Sequence, residues 1–135
     1  MRGRQLVVAL VALLAFGLLW WAQGGATPEP EIGQDGLPVV RAPQLPTEAR
    51  DVLDRIDEGG PFKYPDNDGV TFQNREGLLP DRPRGYYEEY TVETAPRERG
   101  PWRIVTGDEL DEVYWTEDHY RSFARIEDHG IEDLE

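Results

Sequence analysis

The chain contains no cysteine, which excludes disulfide staples, thiolate nucleophiles and thiolate zinc sites. Histidine is almost as scarce. His119 and His129 are the only two, they do not stand at metal-ligand spacing, and no H-E-x-x-H occurs. Neither a G-x-S-x-G elbow nor a phosphate-binding P-loop is present. Asp66, Asn67 and Asp68 only faintly suggest a Ca²⁺ loop, because the glycine and the terminal glutamate of an EF-hand are not at their positions. Positive charge is also short, with 14 Lys and Arg facing 27 Asp and Glu for a net of −13. Such a surface repels phosphate at long range. It excludes a protein that coats nucleic acid non-specifically, but not an enzyme whose site needs only a local group of arginines.

What the chain does have begins with one long hydrophobic run. Arg2 and Arg4 precede an apolar stretch from Leu6 to Ala22. A short basic head before such a run reads as a secretory signal or an uncleaved signal-anchor over residues 1–22, and its lack of a polar face speaks against a buried core helix. The expectation is an exported protein, either secreted or tethered with its domain outside. Without Arg2 and Arg4 the remainder carries 12 basic against 27 acidic residues, a net of −15. A cysteine-free domain this small must rely on its apolar core alone.

Residues 23–44 are rich in Pro, Gly and Glu without apolar periodicity and read as a flexible linker. From Leu45 the pattern changes. Ala49, Val52, Leu53 and Ile56 fall at i, i+3, i+4 and i+7, which predicts an amphipathic helix over 46–57, with Pro46 in its first turn and Gly59 as its stop. Short β-type runs follow at Val70–Phe72, Tyr86–Val92, Trp102–Thr106, Val113–Thr116 and Arg121–Ile126, separated by Gly/Pro-rich or acidic breaks. One helix followed by successive strands predicts an α+β domain over 45–126, the N-terminal helix packed on one face of a small twisted antiparallel sheet and the other face free. Residues 127–135 read as an acidic tail.

Few side chains could do chemistry. His119 lies in Asp118-His119-Tyr120 between two predicted strands, where a scaffold could hold it. From spacing alone it is either a catalyst or surface decoration, and His129 in the tail has little to position it. In the strand Tyr86–Val92, period two puts Tyr87, Glu89 and Thr91 on one face and Tyr86, Glu88, Tyr90 and Val92 on the other, so Glu88 and Glu89 point opposite ways. Arg99 and Arg103 are either a phosphate clamp or mere balance for Glu98 and Asp108. One His, one strand Glu and two Arg suffice for acid–base work on a phosphate ester, without establishing it.

Five blocks, in order, are more specific: Gly60-Pro61-Phe62-Lys63-Tyr64, Thr71-Phe72-Gln73-Asn74-Arg75-Glu76, Gly85-Tyr86-Tyr87-Glu88-Glu89-Tyr90-Thr91-Val92, Arg103-Ile104-Val105-Thr106-Gly107 and Asp118-His119-Tyr120. With them the chain resembles the secreted guanyl-specific ribonucleases of the barnase and streptomycete type, the streptomycete branch above all, from about Leu45 to Ile126. The resemblance implies the microbial ribonuclease fold and a cofactor-free, metal-independent endoribonuclease acting on single-stranded RNA. Glu89 is implied as general base on the ribose 2′-OH, His119 as general acid to the departing 5′-oxygen, and Arg103 and Arg99 as stabilisers of the transition-state charge. A glutamate near ~4.3 and a histidine near ~6.5 stand in opposite protonation states at mildly acidic pH, as this division of labour requires.

For guanine, the resemblance implies backbone N–H groups of Gln73, Asn74 and Arg75 at O6 and the Glu76 carboxylate at N1–H and the exocyclic amine. Phe72 and Tyr120 would frame the base, and Tyr87 would touch the phosphate side. A monomer with a barstar-like protein inhibitor as partner is a further implication; a membrane would be a partner only if residues 1–22 are retained. The chain also departs from the pattern. Glu88 and Trp102 stand where close relatives often carry His and Arg, which implies less positive charge near the cleft, and the disulfide of several streptomycete relatives cannot form. Two other readings predict no RNA cleavage: a catalytically silent or toxin-delivery domain of the same fold, and an acidic cell-surface interaction domain.

Overall fold

The computed structural model describes residues 31–108 and 112–130. The hydrophobic segment 1–22 and the end of the acidic tail lie outside the described residues. Six strands form one sheet: β1 (Val39–Arg41), β2 (Val70–Phe72), β3 (Tyr87–Thr91), β4 (Arg103–Thr106), β5 (Val113–Thr116) and β6 (Ala124–Glu127), in the order β1-β6-β5-β4-β3-β2. Among the described residues one α-helix, α1 (Thr47–Glu58), precedes the meander β2 to β6. The expected α+β class with one N-terminal helix therefore holds.

Helix α1 forms where the 3.6-residue stripe lies. Ala49 and Leu53 are buried, and Val52 and Ile56 pack against the same core from its edge. Pro46 is the N-cap residue rather than a first-turn residue, with extended backbone (φ −54°, ψ 150°), and Glu48 places negative charge in the positive first turn. The stop is Gly59 in the left-handed region (φ 81°, ψ 18°), where a side chain would be strained. Its N–H and that of Gly60 cap the Ile56 and Arg55 carbonyls at 3.2 and 2.7 Å.

The sheet separates two apolar clusters. On the helix side Tyr90, Val92, Ile104, Val113, Trp115 and Ile126 meet Leu45, Ala49 and Leu53. On the opposite side Tyr87, Val105, Tyr114, Phe123 and Leu79 form a second cluster with Phe72, Tyr86, Tyr120 and Leu37 at its rim. That face was expected to be free. Loop residues such as Leu79 and Phe123 cover part of it instead, so every residue of the central strands β4 and β5 is buried.

Three further expectations are corrected. Residues 31–44 are not a linker as far as they are described. Ile32 bridges Pro38, β1 pairs in parallel with β6 (Val39↔Arg125 to Arg41↔Glu127), and Ala42–Gln44 form a 3-10 turn that buries Ala42. The sheet is consequently mixed rather than purely antiparallel. A buried carboxylate reinforces the junction: Asp35, 4% exposed at its side chain, accepts from Arg125 Nη1 at 3.2 Å and from the Leu37 N–H at 3.1 Å. Lastly, the tail does not begin at 127, because Glu127 closes β6 and Asp128 accepts from Arg41 Nη1 at 2.9 Å.

Candidate active site

An open cleft of about 760 Å³ lies over the edge formed by β2 and β3. It is lined by Thr71–Glu76, Leu78, Glu89, His119, Tyr120 and Arg121. Three pieces of chain build it. β3 supplies Glu89, whose pairing with Val70 on one side and Val105 on the other fixes its height on the sheet. Glu89 shares its face with Tyr87 and Thr91, as period two requires. Glu88 points the other way and accepts from the Tyr90 hydroxyl at 3.0 Å.

The second piece is the loop after β2. Asn74, at φ 52°, turns the chain, and its side chain both donates to the Leu79 carbonyl (3.0 Å) and accepts from the Leu79 N–H (3.1 Å). That two-way brace stiffens the loop from behind. Among the described residues the backbone N–H groups of Asn74 and Arg75 have no hydrogen-bond partner, so they remain available to an acceptor in the cleft. Gln73 Oε1 accepts from Arg75 Nε at 2.9 Å, and Glu76 is exposed at the rim.

The third piece is the loop 117–122. His119 and Tyr120 are consecutive non-glycine residues at positive φ, 55° and 72°, a conformation that costs energy and persists only where surroundings impose it. Asp118 imposes it. Its carboxylate accepts from the Thr116 hydroxyl (2.9 Å), the Ser122 N–H (2.9 Å) and the Ser122 hydroxyl (2.5 Å). The Tyr120 N–H donates back to Thr116 Oγ1 at 3.1 Å, and the His119 N–H to the Pro101 carbonyl at 3.2 Å. The Ser122 hydroxyl above all holds the Asp118 carboxyl below its ordinary range. A belt of hydrogen bonds thus fixes His119, Tyr120 and Arg121 on one wall.

Arg103 sits behind that wall, 3% exposed. Its Nη1 donates to the Gly100 and Trp102 carbonyls at 2.5 and 2.6 Å, while its Nε is buried without a partner. It reaches the cleft electrostatically. Burial first, and then the Glu89 carboxylate, push the Tyr120 hydroxyl up to about 12, and the Arg103 charge pulls it the other way. Glu89, Arg103 and Tyr120 are therefore close neighbours.

The remaining expected residues are placed differently. Arg99 is exposed and does not line the cleft; its Nε donates to Thr91 Oγ1 at 3.0 Å, on the same face of β3 two residues beyond Glu89. Tyr87 is 2% exposed, and its hydroxyl donates to the Pro80 carbonyl at 2.6 Å, so it is no free phosphate contact. Burial raises it to about 12. Phe72 and Tyr120 stack on one another with centroids 5.0 Å apart and planes at 25°, leaving no gap for a base between them. The departures Glu88 and Trp102 both face away from the cleft, Trp102 tilting against Trp115 at 5.7 Å in the helix-side core. Their effect on charge near the site is therefore smaller than their positions in the sequence imply. Sequence reasoning missed Arg121, which no spacing rule singles out, and the bracing duties of Asn74 and Asp118. The Asp66–Asp68 stretch is structural: Asp68 accepts from the Thr91 and Tyr64 N–H groups at 2.7 and 3.1 Å.

An α+β domain whose open cleft joins a carboxylate, an imidazole, guanidinium groups and stacked rings is built for acid–base chemistry on an anionic aromatic ligand. Residues 29–127 match the family model described as ribonuclease, and the chain belongs to that family. It is 58% identical over 84 residues to guanyl-specific ribonuclease Sa3 of Kitasatospora aureofaciens, a match covering 62% of this chain and 59% of that protein's own length. It is 52% identical over 89 residues to guanyl-specific ribonuclease St of Saccharopolyspora erythraea, covering 65% and 86%. The crystal structure of ribonuclease Sa2 with guanosine-2′-cyclophosphate resembles the fold with a TM-score of 0.63 at 45% identity, covering 67% of this chain and 96% of that one.

Proposed function

We propose that this chain is a guanyl-preferring endoribonuclease that cleaves single-stranded RNA through a 2′,3′-cyclic phosphate, without a metal. The observation that carries the reading is the cleft itself, which sets Glu89 and His119 in one wall system with the Gln73–Glu76 loop. Glu89 accepts the 2′-OH proton as that oxygen bonds to phosphorus. The bond from phosphorus to the 5′-oxygen breaks, and protonated His119 supplies the proton to the departing oxygen. In the second step the roles exchange: His119 takes a proton from water, the water oxygen bonds to phosphorus, the bond from phosphorus to the 2′-oxygen breaks, and Glu89 returns a proton to that oxygen, leaving a 3′-phosphate.

Charge on the phosphoryl oxygens develops beside Arg103, whose unpartnered Nε would gain an acceptor there. Arg99 adds its field from beyond Thr91. Guanine is read by the free N–H groups of the braced loop and by the Glu76 carboxylate, and adenine would leave that carboxylate unpaired. Because Phe72 and Tyr120 close on one another, the base stacks on an outer ring face or displaces Tyr120. DNA, without a 2′-OH, is not a substrate. The relatives' names, guanyl-specific ribonuclease, support the base preference. The same reading includes export by residues 1–22, supported by their basic and apolar pattern, a monomer, and a barstar-like inhibitor filling the cleft.

The test is conversion of GpU to guanosine 2′,3′-cyclic phosphate and uridine by the wild-type chain and by Glu89→Gln and His119→Gln. Loss of more than about a hundredfold in kcat for each variant is expected. Unchanged activity in Glu89→Gln would remove the assigned base, and no cleavage by wild type would sink the reading.

A further inference from the structure

Resting on that reading, we propose that Gly100 is a positioning residue for the reaction. Its missing side chain lets the loop 93–100 close, and closure presents successive carbonyls that hold Arg103 and the His119 loop in one frame. The carbonyls are those of Gly100, Pro101 and Trp102. Arg103 Nη1 donates to the first and the last at 2.5 and 2.6 Å, and the His119 N–H donates to the Pro101 carbonyl at 3.2 Å. The group beside the phosphoryl charge and the group that protonates the leaving oxygen are thus tied to one short run of backbone. That run is anchored at both ends. At the far end the Trp102 carbonyl also accepts from the Val92 N–H at 3.2 Å, which continues the β3–β4 ladder by one step, and the Trp102 ring tilts against Trp115. At the near end the anchor is a close fit.

The loop turns back on itself at the Ala95↔Glu98 bridge, where the Thr94 N–H donates to the Glu98 carbonyl at 3.3 Å and the Glu98 N–H to the Ala95 carbonyl at 2.9 Å. This turn brings the Thr94 side chain against Gly100. A methyl group on residue 100 would lie 2.7 Å from Thr94 Cγ2, 3.1 Å from its Cβ and closest of all to its Oγ1. Rotation about the Thr94 Cα–Cβ bond does not clear it. Threonine carries two heavy atoms on Cβ, so one of the crowded positions stays filled in every staggered rotamer. The backbone at residue 100 must move instead. Gly100 is not in the left-handed region, so it is this fit, and not backbone conformation, that demands glycine. A shift of the Gly100 carbonyl displaces the 3%-exposed Arg103 and, through Pro101, loosens a restraint on His119, whose φ of 55° needs imposing. The guanine loop is braced separately, by Asn74 on Leu79. A fault at Gly100 therefore falls on kcat and not on ground-state binding of the base.

The experiment measures kcat and KM on GpU, and the preference for GpU over ApU, for wild type, Gly100→Ala, Thr94→Ala and the double variant, each beside urea unfolding of the same sample. Gly100→Ala should lower kcat roughly ten- to a hundredfold, with KM and base preference within about threefold of wild type. The double variant, freed of the Thr94 Oγ1 and Cγ2 contacts, should return kcat to within about threefold of Thr94→Ala alone. A folded Gly100→Ala that keeps kcat within about twofold, or that raises KM at constant kcat, overturns the proposal. So does a loss of kcat that the second substitution fails to restore. Should Gly100→Ala not fold, amide hydrogen exchange in the wild-type chain decides. Exchange of the His119 N–H at least about a hundredfold slower than in an unstructured chain supports the hold by Pro101, and exchange at the unstructured rate overturns it. Failure of wild type to cleave GpU would sink the nuclease reading itself, whereas every other outcome leaves that reading standing.

Discussion

Replacing Asp118 with Ala isolates the device that presents the general acid. The side chain accepts three hydrogen bonds, from the Thr116 hydroxyl and from the Ser122 N–H and hydroxyl. Each such bond is worth about 0.5–1.5 kcal/mol net, and the low end applies to a side chain open to solvent on one side, so the belt contributes about 1.5–2 kcal/mol. Against it stands the left-handed backbone of His119 and Tyr120, φ 55° and 72°, at about 1–2 kcal/mol per residue. For the two residues together that is about 2–4 kcal/mol, so the belt offsets roughly half of the strain or more. Removing the belt should therefore let the loop relax, release much of the strain, and cost global stability only about 1 kcal/mol. The presented geometry then becomes a minority state, and each 1.4 kcal/mol of bias lowers kcat/KM about tenfold. Asp118→Asn, which keeps an acceptor but loses the charge, should fall between. The assay is kcat/KM on GpU beside urea unfolding of the same samples. Activity within about twofold of wild type in Asp118→Ala, with stability down by 3 kcal/mol or more on the same ~1.4 kcal/mol-per-decade scale, would refute the reasoning. The belt would then be holding the fold and not the site. Because the folded-state pKa of Asp118 is depressed, its stabilisation is fully present above the ordinary carboxylate value of ~3.9 and is lost as pH falls through the lower folded value.

Further outcomes follow from the packing. Leu53 is 2% exposed in the seam between α1 and the sheet, so Leu53→Ala should cost about 2–5 kcal/mol in urea unfolding; a loss below about 1 kcal/mol would mean that the helix is not docked as described. Burial pushes the phenols of Tyr87, Tyr90 and Tyr120 up to about 12 and that of Tyr114 higher still. Raised phenol values stabilise the fold below the ordinary value of ~10, and that contribution is lost as pH rises through the folded values. An alkaline absorbance titration should accordingly show most of the six tyrosines silent at about pH 10, then ionising together as the chain unfolds. Independent titration of all six near pH ~10 would contradict the second cluster.

How far the sequence was readable depended on the range of the interaction that makes each feature. The α1 stripe and the alternation in β3 are local patterns, so the sequence alone assigns Leu53 and Glu89 their faces. β1 is three residues long between Pro38 and Pro43, and it exists only because Arg125, far along the chain, offers a parallel edge. No local pattern announces it, and the segment reads as a linker. Arg99, Arg103 and Tyr87 show the same limit in the site. Their sequence positions say nothing about which of them faces open space, and the structure gives Tyr87 to the Pro80 carbonyl, Arg99 to Thr91 and Arg103 to the wall behind Tyr120. Arg121 was passed over for the converse reason. It carries no motif, and only the closed loop around it turns it toward the cleft.

The central claim is tested most directly by wild-type cleavage of GpU and ApU in the presence of EDTA. The account predicts that GpU gives guanosine 2′,3′-cyclic phosphate, and does so more than about a hundredfold faster than ApU reacts, because only guanine pairs the Glu76 carboxylate. Equal rates on the two dinucleotides, or activity abolished by the chelator, would contradict it.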